Sequence, residues 1–317
     1  MKAPFPWFGG KRKVASEVWA ALGDVDNYVE PFAGSLAVLL ERPHEGVSTV
    51  NDADGFVANF WRALIADPKQ VACFADWPVN ENDLFARHMW LVRRKDTLLN
   101  DLHADPEFYD AKVAGWWVWG INSWIGSGWC SGNGPWLADD GHVVRGAGGG
   151  VNRQRPHLGT AGQGVNRQGD IYDYLEALAH KLRDVRVCCG DWSRVVTRGA
   201  LSYGTTVGIF LDPPYLGEVR TGDLYSTDDH TIANDVRDWC LTNGDNPRYR
   251  IVLAGYSDEH DHLIPNTWRR HYWSAGAAYS TTAAAERQDG NHENRHKEVL
   301  WFSPHCLDPI PTLFGGT

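Results

Sequence analysis

The 317 residues contain no apolar run long enough to cross a bilayer and no leader in which basic residues precede an apolar core, so neither membrane insertion nor secretion is expected. Positive charge is also in deficit. Lys and Arg number 30 against 40 Asp and Glu, a formal net charge of −10, which excludes a surface covered in phosphate-binding groups while allowing a local basic patch. Cys73, Cys130, Cys188, Cys189, Cys240 and Cys306 include no C-x-x-C pair and read as free thiols of a reducing cytoplasm. His260, His262, His271, His292, His296 and His305 gather late in the chain, but only His292 and His296 are spaced like ligands. No second pair completes a zinc pattern, and no metal is expected. Gly9-Gly10-Lys11 lacks the phosphate-loop spacing, and Arg12 stands where a hydroxyl would hold magnesium, which disfavours an NTPase.

What is present suits a large folded enzyme. With 43% hydrophobic residues and 16 Trp, the chain can bury an extensive core, with two lobes expected. The most informative stretch is Phe210-Leu211-Asp212-Pro213-Pro214-Tyr215. Val207, Ile209, Phe210 and Leu211 have the character of a buried parallel strand, and the two prolines end it at a rigid turn. Proline removes donors, so the turn offers carbonyl oxygens and the Asp212 carboxylate as acceptors beside the Tyr215 ring. A flat molecule bearing an amino group fits, adenine above all. The alternative is a proline-ended strand whose Asp only caps a turn.

A second motif, Tyr28-Val29-Glu30-Pro31-Phe32-Ala33-Gly34-Ser35-Leu36-Ala37-Val38, reads as a strand, a glycine turn and an apolar helix beginning over Leu36 to Leu40. Doubly wound α/β folds bind nucleotide-like ligands at such units, although the spacing is not the dinucleotide fingerprint and NAD is disfavoured. Val47 to Val50 is a β-branched strand ending in Asn51-Asp52-Ala53-Asp54, where a carboxylate can meet ribose hydroxyls. Asp52 and Asp54 are the candidates, Asp54 reading also as a helix cap. Gly190-Asp191-Trp192 follows the strand-like Val185 to Cys189. Asp191 can accept from an amino group and Trp192 can cover a ring, or Asp191 is only a turn residue.

Pro4-Phe5-Pro6-Trp7-Phe8-Gly9-Gly10-Lys11, the Glu30 to Gly34 motif and Asp212 to Tyr215 together resemble the Dam-type, alpha-class N6-adenine DNA methyltransferases, in which three such segments occur in this order. The resemblance implies S-adenosyl-L-methionine as cofactor, with Glu30, Pro31, Phe32 and Gly34 around its amino-acid part and Asp52 on its ribose. It implies Asp191 and Trp192 at its adenine. Trp7 and Gly10 join the same pocket, with Lys11 near the ligand carboxylate or the reacting centre; a solvated helix-start lysine is the plainer alternative. Asp212, Pro213, Pro214 and Tyr215 become the catalytic turn, acting on an adenine extruded from double-stranded DNA. A bacterial or phage-infected cell, with or without a restriction partner, is the expected setting, and the oligomeric state stays open. Cytosine N4 methylation is the near alternative, although the resembled N4 enzymes commonly carry Ser in place of Asp212. An RNA substrate and a catalytically silent DNA-binding module of the same fold also stay open.

The expected fold is α/β, a doubly wound, mostly parallel Rossmann-like sheet with strands near 27, 47, 185, 207, 250 and 298, the last antiparallel as the resemblance implies. Helices are expected at 55 to 66, 82 to 100, 111 to 125 and 228 to 241. The expected catalytic domain comprises 1–58 and 170–317, with a target-recognition insert at 59–169. Within it, 141 to 169 is a glycine-rich segment without acidic residues, carrying Arg145, Arg153, Arg155 and Arg167 and repeating Val-Asn-Arg-Gln at 151 and 165. These arginines are the DNA-binding candidates, for phosphates or guanine edges, in a flexible loop. A second loop near the DNA is expected at 275 to 295.

Overall fold

The computed structural model describes residues 1–7, 10–124, 129–130, 136–139, 142–145, 170–214, 229–273 and 298–308. Its strands are β1 (Asn27–Glu30), β2 (Val47–Asp52), β3 (Trp136–Asp139), β4 (His142–Arg145), β5 (Val185–Cys189), β6 (Val207–Leu211), β7 (Tyr249–Tyr256), β8 (Arg269–Trp273) and β9 (Glu298–Phe302). Seven build one sheet in the order β5-β2-β1-β6-β7-β9-β8, while β3 and β4 form a separate antiparallel pair. The first five are parallel, and β9 runs antiparallel between β7 and β8. Strand order reverses between β1 and β6, which puts their carboxyl ends at the crevice where such sheets bind ligands.

Every residue of β6 and of β9 is buried, the pattern of strands covered on both faces. Alternation divides their side chains between two cores. Phe210, Leu300 and Phe302 join Tyr28 and helices α1 (Ala15–Leu22), α2 (Gly55–Ala66), α3 (Pro68–Ala75), α4 (Glu81–Ala104), α5 (Ala111–Ser123) and α6 (Ile171–Leu182). Ile209, Leu211, Val299 and Trp301 face Val236 and Cys240 of α7 (Asp229–Asn243) and Ile264, beyond the short α8 (Ser257–His260). Helices therefore cover both faces.

Helix starts follow local chemistry. Asp54, Asp67, Asn80, Asp110 and Asp170 each accept a first-turn backbone N–H from their helix, contacts that stabilise a helix start by about 1 kcal/mol apiece. Trp117 and Trp119 of α5 and Trp61 of α2 are buried, while Trp116 and Trp124 are only partly so.

Four expectations need correction. No helix begins at Leu36; a 3-10 turn spans Leu39–Glu41, because Leu36 itself takes φ +55°, outside the helical basin. The sheet has a seventh strand, β8, whose Arg269-Arg270-His271-Tyr272-Trp273 sequence hides its role. Arg270 Nε donates to Asp261 Oδ1 at 2.9 Å and the Tyr272 hydroxyl to Oδ2 at 2.8 Å, satisfying polar groups that an apolar pattern would not contain. The segment read as a loop from 141 contains strand β4, and its Arg145 is the last residue of that strand. Arg153, Arg155 and Arg167 lie outside the described residues, as do Tyr215 and the loop at 275 to 295. Finally, α4 runs to Ala104, longer than expected. Helix α2 runs across residue 58, and its Phe56, Val57 and Phe60 share a core with Phe210 of β6. Among the described residues, no helix is long and apolar enough to cross a membrane and no cluster of three metal-ligating side chains occurs.

Candidate active site

The site begins with the turn after β1. Gly34 takes φ +45°, and a Cβ there would stand 2.4 Å from Trp7 Nε1, so only glycine lets the Trp7 indole lie on this turn. The turn is pinned from three directions. Gly34 N–H donates to Asp52 Oδ2 at 2.9 Å, Trp61 Nε1 donates to the Gly34 carbonyl at 3.0 Å, and Ala33 N–H donates to the Asn51 carbonyl at 2.8 Å. Gly10, by contrast, is exposed, and a Cβ there would meet the Trp7 carbonyl at 3.4 Å, close to ordinary contact. Leu36 at φ +55° is a non-glycine residue in a left-handed conformation, a local cost of roughly 1–3 kcal/mol of the kind found where a backbone is shaped around a ligand.

The end of β2 ties this turn to the end of β5. Asn51 Nδ2 donates to the Pro31 carbonyl at 3.1 Å and to the Gly190 carbonyl at 2.9 Å, and Gly190 N–H donates to the Asp52 carbonyl at 3.0 Å. Asn51 is buried, and its Oδ1 has no hydrogen-bond partner among the described residues. Asp52 uses Oδ2 for Gly34 and Oδ1 for the backbone N–H of Asp54 at 2.9 Å. Asp54 caps α2 through Phe56 N–H at 2.8 Å, as its position suggested. Asp191 is exposed and accepts from Ser193 N–H at 2.9 Å, so its own turn engages it. Trp192 is largely buried and stacks on Phe32, with ring centroids 6.2 Å apart and planes 26° from parallel.

The third part is electrostatic. Lys11, only 3% exposed, reaches from the 3-10 turn Lys11–Val14 to the end of β6, where its Nζ stands 3.0 Å from Asp212 Oδ1. The same ammonium lies 3.6 Å from Glu298 Oε2 at the start of β9. Lys11 is therefore not a solvated helix-start lysine. Glu30 is buried at the end of β1 and accepts from the Tyr28 hydroxyl at 2.9 Å. Burial pushes its carboxyl up to about 8; the Tyr28 hydrogen bond opposes the rise, while the charges of Asp212 and Asp52 add to it.

Of the residues expected here, the structure brings Trp7, Lys11, Glu30, Pro31, Gly34 and Asp52 to adjoining strand ends with Asp212, while Phe32, Asp191 and Trp192 form a flank at β5. Pro213 is buried and Pro214 half-buried after Asp212. Two buried residues of this region went unassigned in the sequence. Asn51 adjoins the candidate Asp52 and was legible as a strand-end amide. Glu298 was not, since a charged residue opening a strand ordinarily faces solvent.

No curated protein matches the chain. Residues 7–104 match the family model described as D12 class N6 adenine-specific DNA methyltransferase, a span that includes the Lys11, Glu30 to Gly34 and Asp52 segments. With that match over its N-terminal part and a mostly parallel seven-stranded sheet reversing at β1 and β6, the chain is similar to the D12 class N6 adenine-specific DNA methyltransferases.

Proposed function

We propose that the chain transfers the methyl group of S-adenosyl-L-methionine to the N6 amine of an adenine extruded from double-stranded DNA. The observation that carries this reading is the position of Asp212. It stands at the carboxyl end of β6, beside the strand-order reversal, with an oxygen 3.0 Å from a buried ammonium.

The residues present suit this cofactor. It carries a sulfonium, an ammonium and a ribose diol, and the crevice offers the carboxylates of Asp52 and Asp212 together with Asn51 Oδ1, a buried acceptor without a donor among the described residues. Glu30, Pro31, Phe32 and Gly34 would hold the amino-acid part, with Trp7 behind the turn. Asp52 would take the ribose, and Asp191 and Trp192 the adenine. When bound, the cofactor supplies an electrophilic methyl group.

The chain's own contribution follows from what an aryl amine lacks. Its lone pair is delocalised into the ring, so acceptors for both N–H hydrogens favour a pyramidal nitrogen as charge develops. Asp212 and the Pro213 carbonyl supply those acceptors. Lys11 holds the Asp212 carboxylate in place, and the prolines keep the turn rigid, so that orientation contributes much of the rate. Tyr215 would stack on the extruded base, since a base atom inside a duplex is out of reach of such a site. The region from 59 to 169, with its arginines, would carry target recognition.

The test is direct. Duplex DNA treated with the protein and the cofactor should contain N6-methyladenine when its nucleosides are resolved by mass spectrometry. N4-methylcytosine instead, or cofactor binding without any modified base, would overturn the proposal.

A further inference from the structure

Glu298 opens β9, where the ladder places it opposite Tyr256 of β7 on one side and Trp273 of β8 on the other. Its side chain is 8% exposed, with Oε2 3.6 Å from Lys11 Nζ. The same Nζ lies 3.0 Å from Asp212 Oδ1 and 5.8 Å from the centroid of the Trp273 ring. One ammonium thus stands between two carboxylates from different strands, against an aromatic face.

We propose that Glu298 is a positioning residue for methyl transfer, which it serves by sharing the Lys11 ammonium with Asp212. This rests on the reading of Asp212 as acceptor of the substrate amine. A lysine has one compact charge on a flexible stem, so where its ammonium sits, and with it the Asp212 oxygen 3.0 Å away, depends on the other charges it faces. Without the Glu298 charge the ammonium would settle differently along the Asp212 carboxylate, and the oxygens offered to an incoming amine would shift with it. A second anion, fixed on both sides by a β-ladder, draws the ammonium across the sheet end and defines where Lys11 sits. Burying a carboxylate is costly unless it is paired, and the pairing here leads into the catalytic turn.

Glu298→Gln keeps the shape and removes the charge. Single-turnover methyl transfer at saturating cofactor and DNA should slow by roughly ten- to a hundred-fold, the scale of a small misplacement at a reacting centre. Affinities for cofactor and DNA should be unchanged, and Glu298→Asp should recover part of the rate. In a Lys11→Met background the Glu298→Gln effect should vanish, because the two act through one contact. A wild-type rate in E298Q would overturn the proposal, and so would an equal loss in the Lys11→Met background, which would mean damage independent of Lys11. Should E298Q fail to fold, E298D carries the same cycle: a loss confined to the Lys11 background supports the role, and an additive loss overturns it. A wild-type protein that methylates no adenine would refute the reading of the site itself. Adenine methylation undiminished in E298Q would refute only the role of Glu298.

Discussion

Lys11 Nζ lies 3.0 Å from Asp212 Oδ1, so the first turn of the chain and the end of its central strand meet in one ion pair between a buried ammonium and a half-buried carboxylate. Such a pair contributes little net stability, because desolvating both charges offsets most of their attraction. What it supplies is geometry, a carboxylate held at the strand end by a cation that is itself enclosed.

Asp212→Asn should therefore abolish methyl transfer while leaving cofactor affinity close to wild type. Asparagine keeps the shape, but one acceptor oxygen becomes a donor. Transfer of a labelled methyl group, with calorimetry on the same preparation, checks both halves. Turnover at the wild-type rate would remove Asp212 from the chemistry.

Asp52→Ala should weaken cofactor binding by roughly 1–3 kcal/mol, the usual cost of leaving polar groups unpaired. The structure adds a second effect. Gly34 N–H and Asp54 N–H both lose their acceptor, so the melting temperature should fall as well. A lower melting temperature with unchanged affinity would make Asp52 a support for the Gly34 turn and nothing more.

Glu30 makes stability depend on pH in the direction opposite to an ordinary carboxylate. Below its usual value of 4.5 it is protonated both folded and unfolded, and no difference arises. Between 4.5 and about 8 the unfolded chain has released a proton that the fold retains. Stability from this group should thus fall by about 1.4 kcal/mol per pH unit through that window and level off above it. His260, lowered by burial to about 4, acts with the opposite sign between there and 6.5, so the comparison must be with Glu30→Gln. Urea melts at a series of pH values should show the variant gaining on wild type as pH rises. A constant difference would mean that Glu30 is ionised in the fold.

The arginines of the glycine-rich segment can be tested without knowing their arrangement. If Arg145, Arg153, Arg155 and Arg167 meet phosphates, replacing all four with Gln should weaken DNA binding and reduce the salt slope by roughly 0.9 per lost contact. Cofactor affinity should not change. If Arg153 or Arg167 reads guanine, single replacements should relax target choice at one position and leave the salt slope nearly intact. Binding isotherms across a salt series separate the two, and wild-type slopes with wild-type preferences would place recognition elsewhere.

Much of the architecture was legible because local signals and tertiary role agreed. Val207 to Leu211 is apolar without interruption, as a strand covered on both faces must be, and Asp-Pro-Pro ends it by removing donors. Asp54 preceded an amphipathic run and became its cap. Strand β8 was missed because its arginines and histidine carry no apolar alternation. Their partners, Asp261 and the Leu307 carbonyl, lie outside the strand itself. Leu36 was misread because nothing in a leucine announces φ +55°; the pinned turn on either side imposes it.

The sequence by itself determined the strand ends, the acceptor-rich turn at Asp212, the glycine turn at Gly34 and the likeness to adenine methyltransferases, since each is written in a few consecutive residues. Only the tertiary structure decided which charges face one another. Lys11 became a buried cation, Glu30 a carboxyl pushed up by burial and Glu298 a neighbour of the Asp212 turn, because a charge answers to whatever surrounds it in space, and those neighbours arrive from strands far apart along the chain.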